Sequence, residues 1–100
     1  MADKGRLNHR IAFSRGGSLR AHIYITPKEG ILDPQGLTVG KALRNLGMKE
    51  VTSVRMGKYI EMELPRTTRK KAEEITKQAC DRLLANLNIE SYRFEIVKET

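Results

Sequence analysis

The chain is short of the residues from which self-contained chemistry is built. Its 100 residues include one cysteine, Cys80, two histidines, His9 and His22, no tryptophan and five aromatic side chains in all. A single thiol forms no internal disulfide and cannot supply the ligands of a structural zinc site, which fits a reducing compartment. No run approaches the ~18 consecutive apolar residues of a membrane-spanning helix, and the N-terminus lacks the apolar core of a secretory signal. A cytoplasmic location is therefore expected. A chain of this length makes about one domain and buries only roughly 65% of the surface its unfolded form exposes, which leaves little room for a deep pocket.

Charge is the property present in excess. Lysine and arginine number 19 against 12 acidic residues, a net charge of +7. A basic chain first suggests nucleic acid, because clustered cations release counterions from a phosphate backbone. Residues 1–20, however, hold Lys4, Arg6, Arg10, Arg15 and Arg20 against Asp3 alone, so four of the seven net charges sit there. With Gly5, Gly16, Gly17 and Ser18 and no apolar periodicity, residues 1–20 read as a basic, mobile extension or a leader, and their arginines loosely fit an organelle transit peptide. Residues 21–100 are expected to form the single domain.

From Ala21 the pattern sharpens. Ile23 and Ile25 alternate with His22, Tyr24 and Thr26 in the period of a half-buried strand, closed by Pro27. Asp33-Pro34 is a helix start: the carboxylate can accept from free N–H groups, and proline at the first helical position lacks only a donor that has no partner there. Leu32 and Leu37 then occupy the two positions of a hydrophobic staple. Leu37, Val39, Ala42, Leu43 and Leu46 form a stripe of helical period, and Gly47 ends the helix. Val51, Val54 and Met56 predict a second strand and Ile60, Met62 and Leu64 a third, with Gly57 as the turn of a tight hairpin and Pro65 as a stop. Ala72, Ile75, Ala79, Leu83 and Leu87 predict a long amphipathic helix, and Tyr92, Phe94 and Ile96 a last strand. The order β-α-β-β-α-β implies an α+β two-layer sandwich, an antiparallel sheet with both helices on one face, as in ferredoxin-like folds. Its open sheet, with Tyr24, Tyr59 and Tyr92 expected on the bare face, suits dimerisation.

No catalytic, cofactor-binding or metal-binding set emerges. His22 has no nucleophile or acid patterned around it, and Cys80, beside a helical stripe, reads as a buried inert thiol. Gly36 to Lys41 is one residue short of a phosphate-binding loop, lacks its hydroxyl and lies inside a helix. Glu61 and Glu63 share a strand face and read as solvated. Arg66, Arg69, Lys70 and Lys71 gather near a helix start, either as an anion site or as solvated loop charges. Arg55 and Lys58 flank Gly57 and are expected at a hairpin tip, where they would suit docking. The alternating aromatics of an RNA-recognition sheet are absent.

Four segments taken together resemble the PurS family, the small subunits of phosphoribosylformylglycinamidine synthase. They are Lys28-Glu29-Gly30-Ile31-Leu32-Asp33-Pro34-Gln35-Gly36, Ala42-Leu43 through Leu46-Gly47, Val54-Arg55-Met56-Gly57-Lys58 with Ile60-Glu61, and Cys80-Asp81-Arg82-Leu83-Leu84-Ala85-Asn86. The chain departs from the family pattern at Pro27 and at Leu87-Asn88, and residues 1–20 lie outside it. The resemblance implies a subunit that performs no chemistry itself. It bridges a glutaminase and an ATP- and magnesium-dependent synthetase that together convert formylglycinamide ribonucleotide to the amidine in purine synthesis. It also implies a homodimer or higher homo-oligomer, no bound cofactor, and no membrane or nucleic-acid partner. Lys28, Gly30, Asp33, Pro34, Gly36, Arg55, Gly57 and Lys58 are the motif positions expected to serve its interfaces. An ACT-like ligand sensor and a small RNA-binding module are the alternatives that share the element order.

Overall fold

The alternation that starts near Ala21 folds as the central strand of the sheet. In the computed structural model, which describes residues 18–98, strand β1 (Leu19–Pro27) lies between β2 (Lys58–Leu64) and β3 (Glu90–Lys98), antiparallel to both. Register places Ile23 opposite Ile60 on one side and Phe94 on the other. Leu19, Ala21, Ile23 and Ile25 are all buried on one face. A central strand satisfies both its edges with backbone hydrogen bonds, and this one carries the most complete β-branched alternation in the chain. β1 begins at Leu19, so Leu19 and Arg20, assigned to the extension by composition, are strand residues.

The buried face is covered by α2 (Arg69–Ala79) and by the wider π-helical turn Cys80–Leu84 that continues it. Thr68 caps α2 by accepting from the Lys71 N–H at 3.1 Å. Ala72, Thr76 and Cys80, spaced by four, are the residues pressed onto the sheet. Small side chains let the helix approach the isoleucines of β1 closely. The predicted stripe is therefore rotated by one position, and Ile75 and Leu83 are left exposed. Cys80 is a buried free cysteine, as expected, and burial pushes its thiol pKa up.

The α+β class, the antiparallel sheet and the two helices agree with expectation, but among the described residues the sheet has three strands rather than four. Residues 51–57 join no strand. They run instead along α1 (Pro34–Asn45), where Gly36 and Gly40 are the only buried positions of the helix and Val54 packs beside Gly40. A Cβ on Gly36 would overlap the Val54 carbonyl oxygen, so the glycine is what allows the close passage. Helix α1 ends as its sequence requires. Gly47 takes φ +104°, its N–H donates to Arg44 O at 3.0 Å and that of Met48 to Leu43 O at 3.1 Å, the paired bonds of a Schellman cap.

It follows that, among the described residues, the sheet is covered by α2 and the π-helical turn that continues it, and not by α1. Because β1 ends where β2 begins, α1 and residues 46–57 form an arm leaving that one end of the sheet. Gly57 is not a hairpin turn: its Cβ would overlap the Ile25 carbonyl oxygen, and it marks where the returning chain passes close against β1.

Candidate functional site

The motif residues that lie far apart in sequence meet at the root of the arm. The turn from β1 is closed by Gly30 at φ +82° and by hydrogen bonds from Lys28 N–H to Ile89 O (2.9 Å) and from Ile31 N–H to Lys28 O (3.1 Å). Asp33 then caps α1, its Oδ1 accepting from the Gly36 N–H at 3.0 Å, while Pro34 occupies the first helical position. Its other oxygen, Oδ2, accepts from the Met56 N–H at 2.9 Å, across 23 residues of sequence. The bond to Gly36, then that to Met56, and the nearby Arg55 charge hold the Asp33 carboxyl below its ordinary pKa.

Arg55 and Lys58 do not share a hairpin tip. Arg55 lies 3.7 Å from Glu29 at the surface. Lys58, the first residue of β2, turns the other way, with Nζ 3.4 Å from the Leu84 carbonyl and 3.9 Å from Glu90 Oε2. Pro27, Asp33, Gln35, Gly57, Lys58 and Glu90 line an open cleft of about 290 Å³ between arm and sheet. Charges so placed organise the junction, and the exposed Arg55 pair is of the kind worth little in water.

What the sequence reading missed is how much of the arm's apolar surface is open to solvent. Leu32, Leu37 and Leu46 are 72%, 60% and 74% exposed, and Met48 and Met56 are also open to solvent. The staple leucines and Leu46, assigned to a core, are thus surface residues, while Val39 and Leu43 of the stripe are half-buried. A signal was present: Gly36 and Gly40, spaced by four, mark the face that packs closely, and the leucines fall outside it.

The face of the sheet opposite α2 carries a polar and aromatic network. Arg20 donates to Glu61 Oε1 at 2.8 Å and to Glu63 Oε2 at 2.9 Å, so these carboxylates are paired rather than merely solvated. The Tyr59 hydroxyl donates to Glu61 Oε2 at 2.7 Å, which lowers the Glu61 pKa and pushes that of Tyr59 up to about 12. Tyr59 also meets Tyr24 and His22 at ring distances of 5.1 and 5.8 Å, and Arg93 stacks 4.0 Å above Tyr24. Tyr92 is on the opposite face; its hydroxyl donates to Asp81 of the π-helical turn at 2.7 Å. At the opposite end from the arm, Arg69 donates to Ile96 O at 2.8 Å, so one of the four clustered cations is used inside the fold.

Among the described residues, no group of three or more His, Cys, Asp or Glu side chains could hold a metal ion, and no helix is long and apolar enough to cross a membrane. The sequence model of the PurS family, described as phosphoribosylformylglycinamidine (FGAM) synthase, matches residues 20–98. The chain belongs to this family. It is 40% identical over 77 residues to the Bacillus subtilis FGAM synthase subunit PurS, covering 77% of this chain and 90% of that one. Identity to the Synechocystis PurS subunit is 42% over 83 residues, 83% of each chain. The PurS structure from Methanocaldococcus jannaschii superposes with a TM-score of 0.73 at 32% identity, covering 82% of this chain and 99% of that one. A chain of the Thermotoga maritima structure titled "PurLQS" gives 0.73 at 31% identity, covering 80% and 98%. The PurS match begins at Arg20, within β1, so it spans sheet and arm alike.

Proposed function

We propose that the chain is the small, non-catalytic subunit of a cytoplasmic FGAM synthase. In this reading it works as a homodimer that holds a glutaminase subunit, which releases ammonia, against a synthetase subunit. The synthetase uses ATP and magnesium to convert formylglycinamide ribonucleotide to the amidine, and this chain binds neither. The observation that carries the reading is the family match across nearly all described residues, including every residue at the root of the arm. The likeness to a chain of the PurLQS structure supports the partners. The expected extension over residues 1–20 falls, for residues 1–17, outside the described residues.

The dimer is assigned to the sheet edge continuous with the arm. Among the described residues, β2 pairs with β1 along one side only, and just before it no backbone amide from 52 to 55 makes a main-chain hydrogen bond. Such a run is a template for a second strand, and the apolar arm beside it supplies area to bury. The test is reconstitution. Glutamine-dependent activity of the purified synthetase and glutaminase should require this chain, while the chain alone with all substrates should turn over nothing. Full activity without it, or turnover by it alone, removes the reading.

A further inference from the structure

The helix α1 needs less from Asp33 than Asp33 gives. An N-cap requires one acceptor for a first-turn amide, and the Oδ1 bond to Gly36 supplies it; serine or asparagine does this as well as aspartate. The Oδ2 bond to Met56 is a separate contact that caps nothing. It fixes the far end of the 51–57 run, whose near end is held by Val51 N–H to Met48 O at 3.2 Å and by Arg44 Nη1 to Val51 O at 3.2 Å. Between these anchors the run is held by packing on the glycines of α1. Released at Met56, it loses the one hydrogen bond that sets its direction before Gly57 and β2.

We infer that Asp33 is a positioning residue, a latch that uses its second carboxylate oxygen to hold residues 52–57 in line with β2 so that the edge can pair with a second copy of the chain. The inference rests on the sheet-edge dimer. It separates two roles carried by one side chain, the cap at Gly36 and the latch at Met56, and conservative substitutions can pull them apart. Asp33→Asn keeps the shape and one acceptor for Gly36 but faces Met56 N–H with an amide donor. Asp33→Ser keeps the cap and is too short to reach Met56.

The experiment compares the full wild-type chain with both variants by thermal melting, amide hydrogen exchange and sedimentation equilibrium. Both variants should melt close to wild type and keep wild-type exchange in β1. The amides of 52–57 should exchange faster, and dimers should dissociate at a concentration at least about tenfold higher. Wild-type exchange and association in both variants would reduce Asp33 to a cap. Loss of protection across β1 as well would make it a general fold residue, which also overturns the inference. If the wild-type chain itself is monomeric, the dimer reading fails separately, and a latch persists only if exchange of the Met56 amide, the one bonded to Asp33, still rises in both variants.

Discussion

The sheet body and the arm are built from similar residues put to opposite use. In the body, Ile23 and Ile25 are fully enclosed by neighbouring strands and α2. In the arm, leucines of comparable size face solvent, and the buried positions of the helix are glycines. Burial of apolar surface is worth roughly 25 cal/mol per Å², so the body holds the stability of the isolated chain and the arm holds very little of it. An amphipathic pattern therefore reports that a surface will be covered without reporting by which molecule. The body is the scaffold, and the arm is the part that presents unsatisfied surface.

Three substitutions or conditions sharpen the contrast. The largest effect on stability belongs to Ile23→Ala, which removes a fully buried side chain between Ile60 and Phe94. A loss of ~2 to 5 kcal/mol is expected in denaturant melts, since both transfer and cavity terms apply. A loss under about 1 kcal/mol would mean that the body is not the core it looks to be. Gly57→Ala comes next. A methyl there meets the Ile25 carbonyl, so backbone must shift, at a cost of ~1 to 3 kcal/mol. A hairpin-tip glycine without positive φ would accept alanine with little change, so a neutral result would return Gly57 to that role.

The smallest effect is the acid dependence. Asp33 and Asp81 are held below their ordinary value of 3.8, and Glu61 below 4.5, by hydrogen bonds they accept. A carboxyl whose folded pKa is depressed stabilises the fold above its unfolded pKa and loses that contribution as pH falls through the folded value. Stability should thus be flat from neutrality to about pH 5 and decline below it. Asp33→Asn should remove the share that belongs to the arm, whereas the Asp81 and Glu61 shares belong to the body. Melts across this pH range measure the decline, and an Asp33→Asn variant that loses as much stability on acidification as the wild type would locate the cause outside Asp33.

Much of the fold is legible in the sequence alone. Pro27, the Asp33-Pro34 pair, Gly47 and Pro65 are local punctuation, and each acts through backbone geometry that needs no tertiary information. The three strands that exist also announce themselves by alternation. Val51, Val54 and Met56 look like a fourth strand because a strand-like pattern says nothing about whether an edge is available to pair, and here α1 holds the run instead. The rotation of α2 was hidden for a related reason: Thr76 and Cys80 face the sheet because they are small, while Ile75 and Leu83 look more like core. At the candidate site, the motif positions were identifiable by resemblance, but not the reason Asp33 and Gly36 matter. That reason is contact with residues some twenty positions away, and spacing within a motif does not encode it.

The central claim is that the arm serves association and not the stability of its own chain. Leu37→Glu combined with Leu46→Glu tests it most directly, because both side chains are exposed and lie in the arm. Surface changes of this kind usually shift stability by less than ~0.5 kcal/mol, so the double variant should melt with the wild type. In sedimentation across a micromolar range it should run as a monomer, and it should fail to restore activity to the synthetase and glutaminase subunits. A double variant that still dimerises and restores activity would contradict the account, as would one whose melting temperature collapses like that of Ile23→Ala.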